Sequence, residues 1–131
     1  MGVIITPPAA PVAQSGVPVQ PAPVFETAAT PVSATAAANT AVVITINGVA
    51  GQSIRLQHLS FSYNAAPTGG AISVVVNAVT IFQLDDAALT DVTIPLPPGG
   101  LLCQAGQNAV ITLAAAGAAV VGKLNAGFTQ R

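Results

Sequence analysis

The sequence predicts an all-β fold, an antiparallel two-sheet β-sandwich of jelly-roll-like topology over residues 41–131, preceded by an extended Pro/Ala-rich N-terminal arm at residues 1–40. Three observations predict this organisation. From residue 41 onward, short runs of β-branched and aromatic residues recur between turn residues at spacings of roughly 8 to 12 residues, which is typical of sandwiches and barrels. No segment shows the period of an amphipathic helix. Seven of the 11 prolines fall within the first 31 positions, where they disfavour helices and central strands.

The N-terminal arm combines many prolines with apolar side chains and a single charged residue, Glu26. Its composition favours polyproline II or extended chain, with short strand-like pieces at residues 3–6 and 24–27. Disordered segments are usually polar and charged, which argues against the alternative of a disordered linker. We expect the arm to lie on a partner protein. The predicted contact residues of the arm are Ile4, Ile5, Val12, Val17, Val19, Val24 and Phe25.

About eight strands are predicted in the sandwich from apolar and polar residues that alternate between turn signals. Asn77 and Ala78 are expected to turn a hairpin, and residues 116–118 are expected to turn another that pairs the last two strands. Pro95 marks its segment as an edge strand, because proline cannot donate to a central ladder. The predicted strands span residues 41–47, 53–63, 71–76, 79–84, 91–96, 101–104, 109–115 and 119–128.

The second predicted strand changes phase halfway along. Leu59 and Phe61 alternate with serines and predict one apolar face, whereas Ile54 and Leu56 fall in the opposite phase. A period-two pattern changes phase only at a bulge or a strong bend, which the sequence locates near residues 57–58. We expect the strand to cross between the two sheets at that point.

Charged residues are scarce throughout the chain. It has 3 Lys or Arg and 4 Asp or Glu among 131 residues, with a net charge of −1, whereas soluble domains average about a quarter charged residues. A net charge near zero promotes association. Uncharged residues supply the polar strand faces instead, among them Thr45, Asn47, Thr112, Asn125 and Thr129. We therefore expect a building block of a larger assembly, a homo-oligomer (dimer or trimer) that packs through such faces.

The same composition argues against nucleic acid and membrane as partners. Arg55, Lys123 and Arg131 are the only Lys or Arg residues, too few to form a basic patch for a phosphate backbone. A spanning helix needs roughly 18 to 20 consecutive apolar residues, and the apolar stretch at residues 113–121 is shorter and contains a glycine. The first residues carry no basic side chain and no hydrophobic signal core, so no secretory signal is expected.

No group of residues predicts catalysis, a cofactor or a metal site. Asp85, Asp86 and Asp91 lie near one loop, but a calcium site takes about 6 to 8 oxygen ligands in a spaced array, so a solvated turn is expected there. His58 has no Cys or Asp at ligand spacing and is expected to be a hydrogen-bonded structural residue. Cys103 follows two leucines and is expected to be a small buried hydrophobe. The sequence therefore predicts a protein that is not an enzyme.

Three segments resemble small virion proteins of tailed bacteriophages, which are encoded among the head genes. They are residues 59–70 (LSFSYNAAPTGG), 79–82 (VTIF) and 109–125 (AVITLAAAGAAVVGKLN). The resemblance covers roughly residues 41–131. It implies a head decoration (cement) protein that binds outside the major capsid shell and clamps neighbouring capsomers. The implied partner is the major capsid protein, and the implied location is the exterior of the virion head.

Two other virion roles stay open at this point. The first is a fibre, spike or receptor-binding head that recognises a host surface glycan, with the arm joining it to the particle. Glycan sites usually offer an aromatic platform, and this chain has 1 Tyr, 4 Phe and no Trp, most of them predicted to face inward. The second is a plain structural subunit of the tail or baseplate, which differs only in its position on the particle.

Overall fold

The computed structural model describes residues 28–131, which are all-β and contain no helix. Two antiparallel sheets pack against each other, as the sequence predicted. The described strands are β1 (Thr30–Thr35), β2 (Val42–Ile46), β3 (Ile54–Tyr63), β4 (Ala71–Val76), β5 (Val79–Asp85), β6 (Asp91–Thr93), β7 (Leu101–Leu102), β8 (Ala109–Leu113) and β9 (Gly122–Gln130).

The strand order confirms the jelly-roll-like topology. Sheet A has the order β1-β9-β3-β6, with the short β7 also paired to β3, and sheet B has the order β2-β8-β4-β5. Consecutive strands mostly change sheets, so the chain winds around the sandwich and β4–β5 is a hairpin within one sheet. Asn77 and Ala78 turn that hairpin with φ of 50° and 64°, the left-handed pair that a type I′ turn requires.

The core lies between the two sheets and is built from alternating inward side chains of both. Its largest fully buried apolar residues are Phe61, Ile54, Leu56, Leu59, Ile72, Ile111, Leu113 and Leu124. Burial of a side chain of this size contributes about 1.5 to 3 kcal/mol. Cys103 is also buried, as predicted, and burial raises the pKa of its thiol. The alternation that fills this core leaves a second set of side chains on the outside of each sheet.

The phase change predicted in β3 is confirmed as a β-bulge. The pairing of β3 with β9 shifts register between Leu56 and His58, and the extra residue brings Ile54 and Leu56 to the same buried side as Leu59. The expected crossing between sheets is wrong. β3 stays in sheet A along its whole length, because one inserted residue restores the phase without interrupting the ladder.

The second predicted hairpin is also wrong. β8 belongs to sheet B and β9 to sheet A, so residues 114–121 carry the chain across the sandwich and do not turn a hairpin. Both strands bury one face in the shared core, and their alternation is therefore the same whether they pair with each other or not. The edge strand expected around Pro95 is confirmed but shorter, since β6 ends at Thr93.

Residues 30–35, which the sequence assigned to the arm, pair with β9 as an edge strand of sheet A. Pro31 is tolerated there because the outer side of an edge strand has no ladder bond to lose. The sandwich therefore includes β1 in addition to residues 41–131. The predicted contact residues of the arm, Ile4, Ile5, Val12, Val17, Val19, Val24 and Phe25, lie outside the described residues.

Candidate interaction surfaces

The outer surface of sheet B consists of two cross-strand rows without a charged residue. One row is Val43–Thr112–Ser73–Gln83 and the other is Thr45–Val110–Val75–Thr80, read from β2 across β8 and β4 to β5. Ile81 is the extra residue of a bulge in β5 and adds to the second row. We call these nine residues the uncharged face.

Four of the nine side chains of the uncharged face are apolar, and two of these four are exposed. Val43 is 51 % exposed and Ile81 is 37 % exposed, while Val75 and Val110 are half-buried between them. Among the four described strands of sheet B, the one charged residue is Asp85, at the end of β5. Val43 and Ile81 lie on the two edge strands of sheet B, and Val110 and Val75 lie on the strands between them. A surface that exposes apolar side chains and lacks charge is a candidate interaction site on a folded domain.

Within residues 28–131, one border of the uncharged face is an unprotected sheet edge. β2 pairs with β8 without any register shift and contains neither proline nor charge. Natural proteins usually protect an exposed edge with a charge, a proline or a bulge, because its free backbone groups can pair with another strand. The opposite edge, β5, has its bulge opposite Val75 and ends at Asp85, so it is protected.

The outer surface of sheet A has a different character. Its cross-strand rows are Thr35–Lys123–Ser62–Asp91 and Ser33–Asn125–Ser60–Thr93. Further along the same strands, Arg55 lies opposite Thr129 and His58 opposite Gly127. His58 is exposed, and its Nε2 lies 3.2 Å from the Ser60 Oγ, which confirms the expected hydrogen bond. All three Lys and Arg residues of the chain are therefore on the sheet A side of the sandwich.

An open cleft of about 700 Å³ lies at one end of sheet A. Arg55 and Arg131 line it together with Gln57 and Thr129, and its remaining lining residues are Ala28, Ala29, Ser53 and Gly99. The Arg55 guanidinium donates to the Gly99 carbonyl at 3.4 Å, and Gln57 donates to the Thr129 hydroxyl at 3.2 Å. No Asp or Glu side chain lies among these described lining residues.

Asp86 corrects the expectation of a fully solvated turn, because its side chain is completely buried. Its Oδ2 lies 2.7 Å from the Tyr63 hydroxyl, which also lies 3.0 Å from the Ala114 carbonyl oxygen. This cluster joins β3 to the loop after β5 and to the β8–β9 connection. Tyr63 itself offered a signal for it, since an inward tyrosine at a strand end needs a polar partner.

The hydrogen-bond geometry favours a neutral Asp86. The Tyr63 hydroxyl has one hydrogen and cannot donate to both oxygens. If Asp86 is protonated, its carboxyl O–H donates to Tyr63, and Tyr63 donates to the Ala114 carbonyl. Burial raises the pKa of Asp86, its hydrogen bonds with Tyr63 and with its own backbone N–H lower that pKa, and the nearby charge of Asp85 raises it again, with a net rise. Asp86 Oδ1 has no partner within the described residues, which makes a buried carboxylate still less favourable.

Tyr63 belongs to the same cluster and is affected in the same direction. Burial raises the pKa of its hydroxyl, the hydrogen bond with Asp86 raises it further, and the charge that Asp86 acquires once it ionises adds to the rise. Tyr63 is therefore a neutral hydrogen-bonding group throughout the ordinary pH range. The cluster can hold three segments of chain together, but it presents no reactive group to solvent.

Comparisons with protein families, with curated proteins and with solved structures find no match to this chain. The resemblance to phage virion proteins therefore stays a prediction. Within residues 28–131, no three His, Cys, Asp or Glu side chains come together as a potential metal site. The same part of the chain has no helix with the length and hydrophobicity that crossing a membrane requires.

Proposed function

We propose that this chain is a bacteriophage capsid decoration (cement) protein, which binds the outside of the head and stabilises contacts between major capsid subunits. The observation that carries the proposal is the uncharged face of sheet B. It exposes valine and isoleucine side chains on a surface where an isolated soluble domain would display charge. We also propose a non-enzymatic role, which agrees with the burial of Asp86 against Tyr63 and with the burial of the Cys103 thiol.

Self-association through the uncharged face is the first part of this function. The face has no charged side chain that would need to be desolvated, so its burial against a second copy gains hydrophobic stabilisation at little electrostatic cost. A symmetric dimer or trimer would cover Val43, Val75, Val110 and Ile81. The unprotected edge of β2 borders the same surface and offers main-chain hydrogen bonds to a neighbouring strand.

Attachment to the capsid shell by the N-terminal arm is the second part. β1 holds the start of the described chain on sheet A, on the opposite side of the sandwich from the uncharged face. An extended segment can also contact several neighbouring subunits, which increases avidity without a larger domain.

A binding experiment on empty phage heads tests this proposal. The full chain is compared with a variant that lacks residues 1–27, which keeps β1 and therefore the complete sandwich. We expect the full chain to co-sediment with heads and to raise their resistance to heat. The truncated variant should bind at least about tenfold more weakly, which corresponds to about 1.4 kcal/mol.

The controls separate attachment from folding and from the competing virion role. Both proteins should show the same β-sheet circular dichroism and the same oligomeric state. Equal affinity of the two proteins for heads would contradict the role of the arm. Absence of head binding together with binding to a glycan array would favour the receptor-binding alternative instead.

A further inference from the structure

We propose that Asn47 is a deamidation site and that the side chains of Asn108 and Gln130 hold its reaction back in the folded protein. The reaction is the spontaneous conversion of the Asn47 side-chain amide to a carboxylate, with water as the co-reactant. The proposal concerns the turn after β2 and does not depend on what the protein binds. It rests on the Asn47–Gly48 pair, on the packing that requires Gly48 and on two hydrogen bonds to the peptide group between these residues.

Asn47 is the only asparagine of the chain that a glycine follows, and the others precede alanine or threonine. In deamidation, the backbone nitrogen of the following residue attacks the Cγ of the asparagine, so a Cβ on that following residue hinders the approach. Glycine has no Cβ. Asn47 is also exposed, so water reaches its side chain. Its side chain is therefore the asparagine amide of this chain that meets least hindrance to attack.

Packing explains why a glycine follows Asn47. A Cβ at Gly48 would lie 2.6 Å from backbone atoms of Gly106 and Gln107, closer than a Cβ can approach another backbone segment. The chain therefore passes the turn before β8 at a distance that only glycine permits. A larger residue at this position would slow deamidation, but it would not fit this fold.

Two side chains hold the peptide group between Asn47 and Gly48. The N–H of this group donates to Asn108 Oδ1 at 2.8 Å, and its carbonyl oxygen accepts a hydrogen bond from Gln130 Nε2 at 3.1 Å. Asn108 directly precedes β8 of sheet B, and Gln130 ends β9 of sheet A, so the two hydrogen bonds come from different sheets. The attack requires this peptide group to rotate toward the Asn47 side chain and its nitrogen to lose a proton. Both hydrogen bonds must therefore break before the reaction.

The reaction has two steps and needs neither an oxidant nor a reductant. The Gly48 nitrogen forms a bond to Asn47 Cγ, and the side-chain nitrogen leaves as ammonia, which carries away the proton that the Gly48 nitrogen loses. Water then adds to either carbonyl of the resulting succinimide and opens the ring, which gives aspartate or isoaspartate. Asn47 continues the exposed, outward phase of Val43 and Thr45. The product therefore carries a negative charge beside the uncharged face.

Peptide mass spectrometry of the full chain tests the proposal. The folded wild type, Asn108→Ala and Gln130→Ala are incubated at mildly alkaline pH, and the conversion of Asn47 is located by peptide fragmentation. We expect each variant to react about fivefold faster than the wild type, which corresponds to about 1 kcal/mol for one hydrogen bond. The wild type unfolded in urea should react faster still, because both hydrogen bonds are then absent.

Two further variants separate this protection from a general effect on the fold. Asn108→Asp keeps an acceptor oxygen for the Gly48 N–H and should react as slowly as the wild type. Asn64→Ala is the matched control, because Asn64 Oδ1 accepts a hydrogen bond from the Val121 N–H at 2.7 Å, away from Asn47. Its Asn47 should also react at the wild-type rate, and circular dichroism should show the same β-sheet content for the variants and the wild type.

Three results would overturn the proposal. The first is an equal rate of Asn47 conversion in the folded wild type, Asn108→Ala and Gln130→Ala. The second is an equal acceleration by Asn64→Ala. The third is a folded wild type that reacts as fast as the chain unfolded in urea, a comparison that holds even where a variant fails to fold.

Discussion

Replacement of Asp86 by asparagine should stabilise this protein at neutral pH, although it alters a fully buried, hydrogen-bonded residue. The pKa of Asp86 is raised in the folded state. A carboxyl group of this kind contributes stability that is complete below its unfolded pKa, about 3.9, and is lost as the pH rises through the folded value. Asparagine is neutral at every pH, and its amide can donate to the Tyr63 hydroxyl as the protonated carboxyl does.

The expected magnitude follows from the same linkage. Between the unfolded and folded pKa values of Asp86, the free energy of unfolding of the wild type should fall by about 1.4 kcal/mol per pH unit. The free energy of unfolding of Asp86→Asn should lack this pH dependence, and near pH 4 it should lie within about 1 kcal/mol of the wild-type value. Tyr63→Phe removes the hydrogen-bond partner of Asp86. It should lower the free energy of unfolding by about 1 to 3 kcal/mol, and this loss should grow as the pH rises.

Urea unfolding of the three proteins from about pH 4 to about pH 8 provides the assay. The difference in unfolding free energy between Asp86→Asn and the wild type should increase with pH in favour of the variant. A wild type that becomes more stable over this range, combined with a destabilised Asp86→Asn at neutral pH, would show that Asp86 is ionised in the folded protein. Asp86 would then accept the single Tyr63 hydrogen as a carboxylate, and a neutral Asp86 would be refuted.

Two further predictions concern the surface and the backbone. Val43→Lys combined with Val75→Lys should weaken self-association at least about tenfold, because it introduces unpaired charges into the uncharged face. Ser62→Lys on sheet A is the control. Equal weakening of self-association by Ser62→Lys would contradict the assignment of the uncharged face as the self-association surface. Gly100→Ala should destabilise the fold by about 2 kcal/mol or more in urea unfolding, because φ is +88° and the new Cβ would lie 2.6 Å from a β3 carbonyl oxygen. Gly51→Ala has a similar φ of +76° in open space, and an equal loss there would show that the contact with β3 is unimportant.

The sequence predicted the features of the fold that depend on local alternation. The bulge in β3 followed from the opposite phases of Ile54 and Leu59, and the β4–β5 hairpin followed from its two-residue turn. Pairing partners were harder to predict, because β8 and β9 each bury one face in the same core and show the same alternation whichever strand they pair with. β1 was missed as a strand because Pro31 suggested an arm, although an edge position accommodates it.

The sequence also predicted only part of the candidate surfaces. Thr45 and Thr112 predicted an uncharged strand face, and both lie on the uncharged face of sheet B. Asp85 and Asp86 are adjacent and chemically identical in the sequence, yet one is exposed and the other is completely buried. Alternation along β5 places Asp86 in the inward phase of Leu84 and Asp85 in the outward phase of Gln83. The partner of Asp86, Tyr63, comes from a strand of the other sheet, and this long-range contact is not encoded in the local pattern.

Sedimentation velocity of the purified full chain, from about 1 μM to about 1 mM, tests the central claim most directly. If neighbouring protein normally covers the valine and isoleucine side chains of sheet B, the chain should sediment as a dimer or trimer, and the Val43/Val75 lysine variant should shift toward monomer. A chain that stays monomeric at the highest concentration, without precipitation, would contradict the account.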